Sequence, residues 1–419
     1  MELNSPLTPE QILAKKKAFQ IPCTYHFYQR PPHLVRGQMQ YVWDSGGRRY
    51  LDAFAGVSVV ACGHANPAIV EATIGQLQQL QHTTSIYLTQ PVVDLAERLA
   101  QILPGDLNRS FFCNSGSEAN EMAFLLARVA TGRRRIVSLV RGLHGRTYQG
   151  MSATGLDLWR TDPFPDPDFV QVANPFDVGE VAALAALEAE LARGDVAAVI
   201  VEPIQGNGGI VPLSSSYLQA LRRQTEARGS LLILDEIQTG FGRTGRWFGF
   251  EESGILPDIV SLAKALGNGV PIAAVTAVES VAAKLTRPSA STLGGNPVSC
   301  ATALAVLDYL EANRLPERAA ALGARLGAGL ADLALRFPFL ASPRGRGLMW
   351  GLEVRNPSGE PSGERTDAIL EHAKDRGLLV GKNGPHRNVL AIQPPLVLDE
   401  SDVDFLVITL GEAVRLSAG

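Results

Sequence analysis

Two neighbouring stretches, LLILDEIQTGFGRTG at residues 231–245 and PDIVSLAKALGNG at 257–269, decide the fold. In each, a run of aliphatic residues ends on one charged side chain. Residues 231–234 run into Asp235, and residues 259–263 run into Lys264, with Gly267 and Gly269 just beyond. Short apolar runs punctuated by glycine read as strands buried on both faces of a parallel sheet. Burying an ammonium group costs several kcal/mol, so a lysine at the end of such a run is unusual. A pocket that desolvates it lowers its pKa and makes it a better nucleophile toward carbonyl groups. A plainer reading stays open: an exposed lysine at a strand end, and an aspartate capping the next helix.

Outward from this pair, strand–loop–helix alternation begins near residue 109. Strands are expected at 110–113, 136–140, 197–203, 231–235, 259–262 and 272–278, with helices near 181–193 and 215–228. A helix after Ser117 turns Ala119, Met122, Ala123, Leu126 and Val129 inward. Such alternation predicts an α/β fold with a largely parallel central sheet covered on both faces. Upstream, 9–18 reads as a short helix and 41–51 as a hairpin turning at Gly46-Gly47. Asn66 and Pro67 open a helix with Ile69, Val70, Ile74, Leu77 and Leu80 on one face, and another helix covers 91–102. Downstream come helices at 298–310 and 315–335, a strand over 345–354, a further helix, and strands at 378–380 and 389–392. The expected division is an N-terminal arm with part of a small domain (1–59), a large domain (60–308) and the rest of the small α+β domain (309–419).

The chain has 419 residues, 46% apolar and 19% charged, with a net charge of −4. That balance gives no strong attraction to nucleic acid or to an anionic membrane. Its four cysteines form no CxxC pair, which argues against a zinc site or a disulfide framework and for a reducing, cytoplasmic setting. The N-terminal residues carry no apolar targeting core, and the apolar stretch 269–278 is about half a membrane span.

Three more loops fall where strands end, which is where open α/β sheets bind ligands. Asn114-Ser115-Gly116-Ser117 offers backbone N–H groups, two hydroxyls and a helix N-terminus to an anion. Leu143-His144-Gly145-Arg146 follows the next strand, and Glu202 closes another. Each alone is explained by an ordinary turn, cap or surface charge. With Lys264 and Asp235 they supply what a pyridoxal phosphate site needs: a Schiff-base lysine, an acid that keeps the pyridine nitrogen protonated, and a phosphate cradle.

From about Tyr41 onward the chain resembles the class III pyridoxal-phosphate aminotransferases, of the aspartate-aminotransferase fold type. The carriers are NSGSEANE (114–121), LHGRT (143–147), EPIQGNGG (202–209), LDEIQTGFGRTG (234–245), LAKALGNG (262–269) and STLGGNP (291–297). GHANP, HTTSIYL, GRGLMW and GLLVGKNGPHRNV are most similar to the alanine–glyoxylate aminotransferase 2-like branch. The resemblance implies that Lys264 holds the cofactor and later moves a proton. It implies that Asp235 holds the pyridinium, Gln238 bonds the ring hydroxyl, and Ser115, Gly116 and Ser117 hold the phosphate. Glu202 and His144 lie near the ring, and Arg146 binds a substrate carboxylate. Thr292 belongs to the neighbouring subunit's phosphate site, so a homodimer is implied, and no metal is. The implied reaction moves an amino group from an amine or amino acid to a keto acid or aldehyde, by ping-pong through pyridoxamine phosphate.

Three positions depart from the family pattern. Leu143 stands where relatives place a ring that stacks on the cofactor, a difference of about 1 kcal/mol by analogy with aromatic pairs. Asn207 and Ala391 replace a glutamate and an arginine that pair in ω-amino-acid aminotransferases. Their joint loss is coherent, because either partner alone would be a buried unpaired charge. Without that arginine, small acceptors such as pyruvate or glyoxylate gain over 2-oxoglutarate. An amino-acid racemase on the same fold needs the same lysine and aspartate plus a second proton donor, for which His144 or Tyr87 are candidates. A non-catalytic cofactor-binding protein is the remaining alternative.

Overall fold

The computed structural model describes residues 7–418. Its centre is a seven-stranded sheet: β1 (Leu107–Cys113), β2 (Arg135–Leu139), β3 (Phe169–Val172), β4 (Val196–Val201), β5 (Leu231–Asp235), β6 (Ile259–Leu262) and β7 (Ala273–Val278). The spatial order is β1-β7-β6-β5-β4-β2-β3. Only β7 runs antiparallel to its neighbours. Every residue of β4 and β6 is buried, as a sheet covered on both faces requires. Because β5 and β6 are parallel, with Asp235 opposite Ser261, their carboxyl ends deliver Asp235 and Lys264 to the same edge.

The ends of β5 and β6 match the sequence expectation residue for residue. β3 was not anticipated: four residues between Pro167 and Pro175 carry too little pattern, and pairing with β2 alone makes it a strand. Two inward faces were misread. Val129 is 41% exposed, and in helix Pro67–Gln79 Ile69 is buried while Val70, Ile74 and Leu77 are each more than 40% exposed. The expected strand over 345–354 is a hairpin, Arg344–Arg346 with Met349–Glu353, and Gly381–Asn383 adds a strand. Helix Glu400–Ser417, opened by an Asp399 capping box, was also missed.

Two smaller sheets use the chain ends. Arg49–Asp52 of the N-terminal hairpin pairs in parallel with Leu378–Leu379. Arg344–Arg346, Met349–Glu353, Val389–Ile392 and Gly381–Asn383 form the other. Arg243, buried in the loop after β5, donates from Nη1 to the carbonyls of Leu348 and Pro394 and so ties that loop to this second sheet. Burial pulls its guanidinium down to about 9.

Residues Ala55–Ser58 form one left-handed turn, with φ of 50, 60, 68 and 62°. Only Gly56 adopts that geometry freely, and each other residue costs about 1–2 kcal/mol there. Cys62, Cys113 and Cys300 are buried, with thiols pushed up by burial, whereas Cys23 is exposed. No described helix is long and apolar enough to cross a membrane, and no group of described His, Cys, Asp or Glu side chains is placed to hold a metal ion.

Candidate active site

The carboxyl ends of β1, β2, β4, β5 and β6 surround a cavity of about 360 Å³. It gathers Ser115, Gly116, Ser117, Leu143, His144, Arg146, Glu202, Asp235, Gln238 and Lys264. Thr292 lies outside it on an exposed loop, and Tyr87 is 68% exposed and also outside.

At the end of β1 the Ser115 hydroxyl caps helix Gly116–Thr131 by accepting from the Glu118 N–H. Glu118 reaches back to the Asn114 N–H at 2.9 Å, so the turn is closed from both sides. The N–H groups of Gly116 and Ser117 fall in the first helical turn, where helix geometry provides no acceptor, and the helix dipole favours an anion there. A Cβ on Gly116 would lie 2.7 Å from Ile237 Cδ1, so glycine is what lets β5's loop pack on this turn. The Arg146 N–H donates to Ser117 Oγ at 2.9 Å, joining the β2 loop to the same cradle.

Asp235 is 3% exposed and shared three ways. One oxygen accepts from Asn120 Nδ2 and pairs with His144 Nδ1, each at 2.9 Å, and the other accepts from the Ile237 N–H at 3.2 Å. His144 Nε2 has no partner among the described residues although it is buried. Asn120 also donates to the His144 carbonyl at 2.7 Å, which fixes the histidine from its backbone side. The sequence reading missed Asn120. Its signal was available: a lone amide on the same helical face as Ala119 and Ala123.

Glu202 is enclosed and accepts from the Leu143 and Gly206 N–H groups, each at 2.9 Å. Burial raises it to about 7; nearby Asp235 pushes the same way, and His144 and the two N–H groups oppose. Gln238 accepts from Gln393 Nε2 at 3.1 Å, and Gly206 packs so closely on Gln238 that a Cβ there would be 2.4 Å from its Oε1. Burial lowers the Lys264 ammonium, with Asp235 and Glu202 acting in the opposite direction. Its backbone is left-handed, at φ 46°, a costly conformation for a residue with a side chain.

The donor set fits pyridoxal phosphate. The anion cradle suits a phosphate, the Asp235 carboxyl held in place suits a protonated ring nitrogen, and Lys264 is a desolvated amine at the cavity wall.

The model of the family described as aminotransferase class-III matches residues 28–414. The chain is 42% identical over 408 residues to alanine–glyoxylate aminotransferase 2 homolog 2 of Arabidopsis thaliana, covering 94% of this chain and 85% of that protein. It is 43% identical over 391 residues to the acetylornithine aminotransferase of Gloeobacter violaceus, covering 91% and 93%. Among solved structures, a PLP-bound amine transaminase from an uncultivated Pseudomonas species superposes with a TM-score of 0.89 at 30% identity, covering 95% of this chain and 98% of that one. A match across nearly the whole chain, on a site with this chemistry, makes the protein a class III aminotransferase that uses pyridoxal phosphate.

Proposed function

We propose that this site transfers amino groups with Lys264 as its one covalent and proton-moving residue. The observation that carries the reading is Asp235, held by Asn120, His144 and the Ile237 N–H at one wall of the cavity that Lys264 also lines. When bound, the cofactor supplies an electron sink next to the carbon that gains or loses the amino group. Asp235 keeps the ring nitrogen protonated, and His144 and Asn120 keep Asp235 in place. Ser115, Gly116, Ser117 and the helix dipole hold the phosphate. Gln238 would bond the ring hydroxyl and Leu143 would supply an apolar contact to the ring, while Glu202 accepts from the Leu143 N–H and so braces that loop. Lys264 would anchor the cofactor through Nζ and move a proton at the substrate's Cα, and the burial that lowers its pKa favours the uncharged amine this needs. Arg146 lies at the exposed edge of the cavity, suited to a substrate carboxylate.

The racemase alternative finds less support than transfer. His144 Nδ1 is committed to Asp235, and Tyr87 stands outside the cavity. The same reading makes the protein a homodimer in the cytosol, with Thr292 completing the partner's phosphate site. The exposed Thr292 loop and the exposed apolar residues of helix Pro67–Gln79 support that arrangement. Pairing of Arg49–Asp52 with Leu378–Leu379 supports a small domain built from 1–59 and 309–419 around a large domain of 60–308.

The test is a half-reaction. Purified holoenzyme is mixed with one amine at a time, and the cofactor's visible absorbance band is followed. It is expected to bleach with a donor and return with a small keto acid. Lys264→Ala is expected to slow the change by about a thousandfold or more. Inversion of an amino acid without any keto acid, and without bleaching, would sink the transfer reading.

A further inference from the structure

A second cavity, of about 100 Å³, lies beside the first. Segments 57–59 and 202–207 border both. Val57 and Asn207 line the small cavity, while Val59 and Glu202 line the large one. The space is several times what one water needs. Tyr25, Phe27 and Trp159 supply aromatic walls, and Arg387 supplies a cation.

Arg387 is the unusual member. Its guanidinium carbon sits 4.4 Å from the Tyr25 ring centre and 5.9 Å from that of Phe27. Among the described residues it has no carboxylate partner, whereas Lys382 in the same lining is paired with Asp367. Its backbone is left-handed, at φ 55°, held by its N–H donating to the Gly384 carbonyl at 3.0 Å. Two rings and a strained turn therefore fix a guanidinium at a cavity wall while leaving its N–H donors without acceptors among the described residues. Ring stacking orients the planar group in advance, so little freedom is lost when an oxyanion docks on it.

We propose that this side cavity receives an anionic group at the far end of the substrate, with Arg387 as the specificity-determining cation. The inference rests on the aminotransferase reading of the adjoining cavity. The shared chemistry is an oxyanion that a guanidinium can grip with two N–H groups, either a carboxylate or a phosphate.

The experiment compares three amines of similar length with the holoenzyme: γ-aminobutyrate, aminoethyl phosphate and n-butylamine. Each is titrated in the half-reaction with the native protein, Arg387→Met and Arg387→Lys. In Arg387→Met the half-saturating concentration of at least one anionic amine is expected to rise about tenfold or more, with partial recovery in Arg387→Lys. That of n-butylamine stays within about twofold. Which anionic amine responds identifies carboxylate or phosphate as the group. Equal shifts for all three amines, no shift for any, or native binding of n-butylamine as tight as both anionic amines would each overturn the proposal. If no amine reacts, the transfer reading fails separately. Calorimetric titration of glutarate and inorganic phosphate then decides: binding lost in Arg387→Met supports the subsite, and binding absent or unchanged rejects it.

Discussion

Glu202 and Glu236 are both enclosed, and burial raises both to about 7. Each is caught by backbone donors, Glu236 by the Gly249 and Phe250 N–H groups at 2.9 Å. A carboxyl group whose pKa is higher folded than unfolded binds its proton more tightly in the native state. Its stabilisation is therefore complete below about pH 4.5 and is lost as pH rises through about 7. The urea midpoint of cofactor-free protein is expected to fall across this window. Glu202→Gln should flatten the fall by at most about 3 kcal/mol. The amide loses one acceptor at every pH, so the slope is the readout, and an unchanged slope would contradict the assignment. At this scale the sequence exposed the chemistry unevenly. Asp235 and Lys264 stood out because each broke an apolar run. Asn120 and Gln393 did not, because an amide's role depends on what the fold sets opposite it.

Among elements, the turn from β1 into helix Gly116–Thr131 is the sharpest test of packing against propensity. Alanine at Gly116 would favour the helix by up to about 1 kcal/mol. Yet its Cβ would press on Ile237 Cδ1 at 2.7 Å, and Ile237 lies two residues beyond Asp235. Gly116→Ala is expected to leave the melting temperature nearly unchanged and to weaken cofactor affinity about tenfold, measured by fluorescence titration. Ile237→Val, which removes the blocking atom, should restore it; failure to restore would mean the clash is elsewhere. Strands such as β5 and β6 were legible because charges and glycines mark their ends. β3 was not, since at a sheet edge its only support is a neighbour distant in sequence. Helix Pro67–Gln79 was placed correctly and its apolar stripe recognised. The stripe's destination was misjudged, because periodicity reports that a face is apolar and not which surface covers it.

For the molecule as a whole, Ile86, Tyr87 and Leu88, a few residues beyond that uncovered stripe, are 82, 68 and 102% exposed. The proposed dimer would cover these side chains. On that proposed arrangement, the double variant Ile86→Asp/Leu88→Asp is expected to be monomeric by light scattering where the native protein is dimeric, and to release cofactor on gel filtration. A native protein that is monomeric at micromolar concentration would refute the arrangement. The overall architecture was largely readable because alternation of strands and helices leaves few alternatives. The union of the chain ends into shared sheets was harder, since nothing local in Arg49–Asp52 names Leu378–Leu379 as its partner. The distribution of thiols has a practical consequence. Three are sealed in the interior, and Cys23 alone is exposed, two positions before the tyrosine that walls the side cavity. A maleimide dye should therefore attach at one native position, giving an optical reporter of ligand arrival without engineering a new cysteine.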